Sequence, residues 1–225
     1  MKTLIFDSGA LISIAMAGLI PELKELKKIF KGKFIITKEV KSEIIDRPLT
    51  IKRFELEAMM LQELIDSGIL EMPSSLNVSD AEIMEKTEQI MNIANNTFTG
   101  KERNIHLIDL GESSCLALSR ILTEKKIENI VVVDERTTRL LGEKPENLKK
   151  YMESKLHFSL SENKSNYKFF QGFKFIRSTE LMYVAYKKGI IKIKNKNLLD
   201  ALLYALKFKG TAISDDEINE IKRIG

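Results

Sequence analysis

Four acidic side chains stand where chemistry is easiest to build. Asp7 follows the apolar run Leu4-Ile5-Phe6, and Asp134 follows Ile130-Val131-Val132-Val133. A buried parallel strand that ends in an acid delivers it to the C-terminal edge of the sheet, where open α/β sheets place their ligands. Glu43 lies on the helical segment after the second predicted strand, and Glu112 opens the helix before the strongest strand. Short connections would bring all four to one cleft. Each also has a structural reading: Asp7 and Asp134 as caps, Asp109 with Glu112 as a capping box, Glu43 as a solvated helix residue. Glu39 lies one turn before Glu43 on the same face, so spacing does not choose between them.

Convergent carboxylates need a counter-ion, because two charges about 4 Å apart repel by roughly 4 kcal/mol at an effective dielectric near 20. The single cysteine, Cys115, rules out a disulfide framework and a cysteine zinc site, and two histidines, His106 and His157, argue against a histidine-rich one. The expected occupant is Mg²⁺ or Mn²⁺, hard ions that prefer oxygen. Such an ion can generate hydroxide and stabilise charge on a phosphodiester during in-line displacement, which is nuclease chemistry.

The elements that must position these acids read clearly in places. Leu19 to Phe30 has helical spacing with Pro21 in the first turn, Lys33 to Ile36 reads as a strand, and Thr37 is a candidate N-cap for a helix to Ile45. A helix through Ile51 to Ile65 stops at Gly68, Ile69 to Met72 is strand-like, and Ser79 with Glu82 caps a helix to about Asn95. Asn95 to Gly100 reads as a surface turn and Phe158 to Gly172 as a loop. Helices are expected from Glu135 to Leu141 and after Pro145. Phe173 to Ile176 alternates like an edge strand, and helices follow from Ser178, from Asn195 and from the Ser214 to Glu217 cap. Strands separated by helices imply α/β architecture with a parallel sheet and helices on both faces. One domain over residues 1–225 is expected.

The chain has 225 residues, 44% apolar and 30% charged, which suits a folded globular protein. The apolar stretch from Leu11 to Ile20 is well short of the roughly 18 residues that span a bilayer, so a cytoplasmic protein without membrane contact is expected. Net charge is +4, yet Lys164 to Lys196 carries nine basic residues against the single acid Glu180. Lys168, Lys174 and Arg177, interleaved with Tyr167, Phe169, Phe170, Phe173 and Phe175, could bind single-stranded RNA through phosphate attraction and base stacking. Core packing of Phe173 and Phe175 and a solvated lysine face are the competing reading. Ser178 and Thr179 could meet a phosphate at a helix N-terminus, or Ser178 could simply cap.

Taken in order, Leu4-Ile5-Phe6-Asp7-Ser8-Gly9-Ala10-Leu11-Ile12, Thr37 to Ile44, Leu110-Gly111-Glu112 through Leu118, Val131 to Asp134, and Ser178-Thr179 through Lys187-Lys188-Gly189-Ile190-Ile191 resemble a PIN-domain ribonuclease over nearly the whole chain. The resemblance implies a three-layer α/β/α sandwich with a Mg²⁺- or Mn²⁺-dependent site for RNA hydrolysis. Its acidic pattern maps onto Asp7, Glu43, Glu112 and Asp134, taking Glu43 over Glu39, and its small polar position onto Ser8. It further implies either a toxin with an antitoxin partner or an RNA-processing protein, and allows a homodimer. The chain is longer than a compact toxin of this family, with extra material near 77–105 and 154–172, and lacks the cysteine-rich zinc ribbon of the ribosomal RNA-processing branch. A non-catalytic RNA- or protein-binding relative is the alternative. A haloacid-dehalogenase-type phosphatase fits less well, since its second aspartate would stand where this chain has Gly9.

Overall fold

The structure, a computed structural model, describes residues 2–224. Strands β1 (Lys2–Phe6), β2 (Gly32–Ile35), β5 (Glu128–Val132) and β7 (Phe175–Ile176) form a parallel sheet in the order β2-β1-β5-β7. β1 is central, with Ile5 opposite Ile35 on one side and Val131 on the other. Leu4, Ile5 and Phe6 are all buried, as a strand covered on both faces requires. Fully burying such a side chain contributes roughly 1.5–3 kcal/mol.

Helices α1 (Ser8–Met16), α2 (Ile20–Ile29), α9 (Ser178–Lys187) and α10 (Leu198–Phe208) form one packed group. A second comprises α3 (Lys38–Lys41), α5 (Asp80–Asn95) and α6 (Leu110–Glu124), with α6 lying on β1 and β5. The remaining helices are α4 (Glu55–Asp66), α7 (Arg136–Glu143), α8 (Pro145–Leu156) and α11 (Asp215–Ile224). The fold is therefore α/β, a four-stranded parallel sheet flanked by helices, as expected. Among the described residues, no helix is long and apolar enough to cross a membrane.

Local signals held where a cap fixes a helix start. The Thr37 hydroxyl accepts from the Val40 amide, Ser79 accepts from Glu82 N at 3.2 Å, and Ser214 and Glu217 bond reciprocally at 2.8 and 3.2 Å. Non-local pairing produced the differences. The expected strand Ile69 to Met72 contributes a single bridge, Glu71 beside Ile35. The expected surface turn Asn95 to Gly100 instead holds β3 (Phe98–Gly100), whose Phe98 is fully buried. β3 lies between β4 (Arg103–Asn104) and β6 (Ser161–Glu162) in a small antiparallel sheet. The two segments read as extra material thus pair with each other.

Candidate functional site

Asp7 is the N-cap of α1. Its Oδ2 accepts from the Gly9 amide at 3.2 Å, while its Oδ1 is buried without a hydrogen-bond partner. Burial and the neighbouring Glu112 charge push the Asp7 carboxyl up to about 8, with Glu43 adding to the shift and the Gly9 amide opposing it. A carboxylate left with an unsatisfied buried oxygen beside two like charges is an electrostatic debt that a cation or a proton must settle.

Glu112 lies in the first turn of α6. One oxygen accepts from Asp109 N at 2.9 Å and the other from the Thr138 hydroxyl at 2.8 Å. Burial still dominates those two bonds and raises its carboxyl to about 7, helped by the charges of Glu135 and Asp109. Glu43 arrives by a different device. After α3 the helix widens into a π-turn, Ser42–Asp46, and such turns re-aim side chains at functional sites. The Glu43 carboxylate then rests on Gly111, where an added Cβ would lie 2.6 Å from Oε2 and 2.8 Å from Oε1. A side chain at position 111 would force that carboxylate to shift away from the start of α6.

Asp7, Ser8, Glu43 and Glu112 line one open cleft of about 740 Å³ at the C-terminal edge of the sheet. Glu39 is buried and does not line it, so the geometry separates the two acids that helical spacing could not. Asp134 does not line it either. Its Oδ1 accepts from the Ser178 amide at 2.8 Å, and its Oδ2 from the hydroxyls of Ser178 at 2.7 Å and Thr211 at 2.8 Å. It ties the end of β5 to the start of α9 and to the 211–212 segment, whose Ala212 amide bonds the Asp134 carbonyl.

The next residue, Glu135, does reach the cleft, as do Asp109, Arg47, His106 and Lys155. His106 Nε2 lies 2.7 Å from Asp109 Oδ1 at the rim. In the sequence Glu135 reads only as the start of a helix. The available signal was its place directly after an acid that ends an apolar strand.

Most of the expected substrate-binding residues lie elsewhere. Arg177 is 5% exposed and held by Glu180 and Glu217, its Nε 2.8 Å from Glu180 Oε1 and its NH1 2.7 Å from Glu217 Oε1. Ser178 and Thr179 are fully buried, Ser178 committed to Asp134, so neither presents a phosphate site. Lys174 lines a separate recess with Lys126, Glu128 and Asn129 beside the start of β5, the other end of that strand from the acids. Lys168 is exposed but lies outside the acidic cleft. The interleaved aromatics are structural: Phe170 is buried, Phe169 and Phe173 flank Arg120, Phe173 meets Phe175, and Tyr167 packs on Phe98 and donates to Glu162. The alternation of aromatic and basic residues was therefore inside-outside patterning of a small layer over the core.

Tested against a divalent cation, the cleft fits in donor type. It offers carboxylate oxygens, one of them buried and unpartnered. The donors stand apart, however: among the described residues no three His, Cys, Asp or Glu side chains form a group closed enough to hold an ion. No family model, curated protein or solved structure matches this chain.

Proposed function

We propose that the chain is a metal-dependent endoribonuclease of the PIN type, its helices and sheet making a three-layer α/β/α sandwich and its acidic cleft hydrolysing RNA phosphodiester bonds. One observation carries the reading. At the edge where parallel sheets hold ligands, Asp7 keeps a buried, unpartnered oxygen next to Glu43 and Glu112. A buried carboxylate oxygen without a partner beside further acids costs stability unless a cation or a proton offsets it, so its presence favours a site over a cap.

Asp7, Glu43 and Glu112 would hold Mg²⁺ or Mn²⁺, which when bound supplies Lewis acidity and a lowered water pKa. The chain's own groups do the rest. Gly111 makes room for the Glu43 carboxylate, and Thr138 with the Asp109 amide fixes Glu112. Arg47 and Lys155, the basic residues of the cleft lining, offer cations to the phosphate. Asp134 acts as a positioning residue, fixing the end of β5 against α9. In-line attack of water at phosphorus, with departure of the 3′-oxygen as a hydroxyl, leaves 5′-phosphate and 3′-hydroxyl ends.

Incubating single-stranded RNA with Mg²⁺ or Mn²⁺ and mapping the new ends tests this reading. A 2′,3′-cyclic phosphate end that persists in chelator would contradict it. The second reading, a non-catalytic RNA- or protein-binding module, draws on the spread of the acids and the full engagement of Asp134. It predicts binding without cleavage at any divalent concentration.

A further inference from the structure

The acidic cleft has a basic neighbour. Residues Arg136, Arg139, Leu140 and Glu143 of α7, with Asn147, Lys150, Tyr151 and Ser154 of α8, line a second open cleft of about 610 Å³. The helical steps of three and four place each set on one face. Thr137 of α7 and Met152 and Lys155 of α8, turned by roughly 100° on the same helices, line the acidic cleft. The two clefts are thus adjacent, separated by the α7–α8 ridge.

Charge in the second cleft is unbalanced. Arg136, Arg139, Lys144 and Lys150 face Glu143 and Glu217. Arg136 reaches Glu217 at 3.1 Å, but Glu217 is already shared with Arg177. Arg139 reaches Glu143 at 3.5 Å and keeps its Nε buried with no acceptor. Lys144 and Lys150 are exposed. The Tyr151 ring, with the Arg136 guanidinium 6.0 Å from its centroid, adds a flat face among the cations.

We propose that this cleft is the phosphate-binding track of a single-stranded RNA whose reacting phosphate lies in the acidic cleft, an inference that rests on the ribonuclease reading. The acidic cleft alone does not attract a polyanion, since Glu43, Asp109 and Glu135 outnumber Arg47 and Lys155 even when Asp7 and Glu112 are left out of the balance. Guidance must come from a positive surface beside it, and this cleft shares its helices. The Arg139 fork and the two lysines suit phosphate oxygens, and Tyr151 offers a stacking face. A purely acidic peptide would make no use of that ring.

The test is binding without cleavage. The full chain is titrated in EDTA with a short fluorescein-labelled oligouridylate while KCl is varied. Lys144→Gln/Lys150→Gln, at two exposed positions, is expected to weaken binding roughly five- to tenfold at low salt and to reduce the salt slope by about 1.4, or 0.7 per lost phosphate contact. Arg139→Gln should act in the same direction, and Lys168→Gln/Lys174→Gln should leave binding unchanged. Wild-type affinity and slope in the Lys144→Gln/Lys150→Gln protein would overturn the proposal. So would no binding by wild type, or binding of polyglutamate as tight as RNA. Binding that follows the prediction in a protein that never cuts with Mn²⁺ would sink the ribonuclease reading and leave the track intact; cleavage indifferent to these lysines would do the reverse.

Discussion

At the scale of single residues, the site is defined by discomfort. Asp7 is 3% exposed with one oxygen unpaired, and its carboxyl is raised from 3.8 to about 8. A group that binds its proton more tightly when folded contributes stability that is present below its unfolded pKa and is lost as pH rises through the folded one. Metal-free protein should therefore lose stability between about pH 4 and pH 8, with Glu112, raised to about 7, acting in the same window. Asp7→Asn should flatten that profile and be more stable than wild type at pH 8 by on the order of 2–5 kcal/mol, read by urea denaturation in EDTA. Mg²⁺ or Mn²⁺ should raise the wild-type melting temperature more at pH 8 than at pH 5, because the ligands must first lose their protons. Gly111→Ala tests the approach of Glu43: its Cβ would collide with that carboxylate, so metal affinity should fall about tenfold or more while the helix remains.

At the scale of elements, the sheet edge brings the acids together and one clamp holds that edge closed. Asp134 accepts from the Ser178 amide and from the hydroxyls of Ser178 and Thr211. Ser178→Ala should cost on the order of 1–3 kcal/mol, because it leaves a buried charged acceptor short of a donor. Thermal or urea unfolding measures it. If Asp134→Asn kept wild-type stability but lost activity, Asp134 would be a metal ligand and not a clamp. β1, β5 and the caps at Ser79 and Ser214 were legible in the sequence because their signals lie within a few residues. The π-turn at Ser42–Asp46 was not, nor was the seat of Glu43 on Gly111, which joins residues distant in sequence. Nor was the role of Asp134, whose partner Thr211 lies 77 residues away. β3 hid behind turn-forming asparagines because its partner β6 comes from the other extra segment.

At the scale of the whole molecule, charge is sorted by position in space more than by position in sequence. Lys164 to Lys196 is the most basic stretch, yet Arg177 is spent on Glu180 and Glu217 and Lys174 lies beside the start of β5. The basic surface next to the acids comes from α7 and α8, where basic and acidic residues alternate and no run is visible. Composition reported the asymmetry, and only topology could say which end of the sheet each charge occupies. Of the four acids singled out in the sequence, Asp7, Glu43 and Glu112 line one cleft; Asp134 does not, and Glu135 beside it does. Cleavage of a labelled single-stranded RNA probes the chemistry of that cleft, comparing wild type with folded Asp7→Asn and Glu112→Gln in Mn²⁺ and in EDTA. Wild type should cut in Mn²⁺ alone, leaving 5′-phosphate ends, and either variant should lose at least about a hundredfold. Cutting that survives EDTA or the Asp7→Asn substitution, or no cutting by wild type in any divalent ion, would contradict the ribonuclease reading.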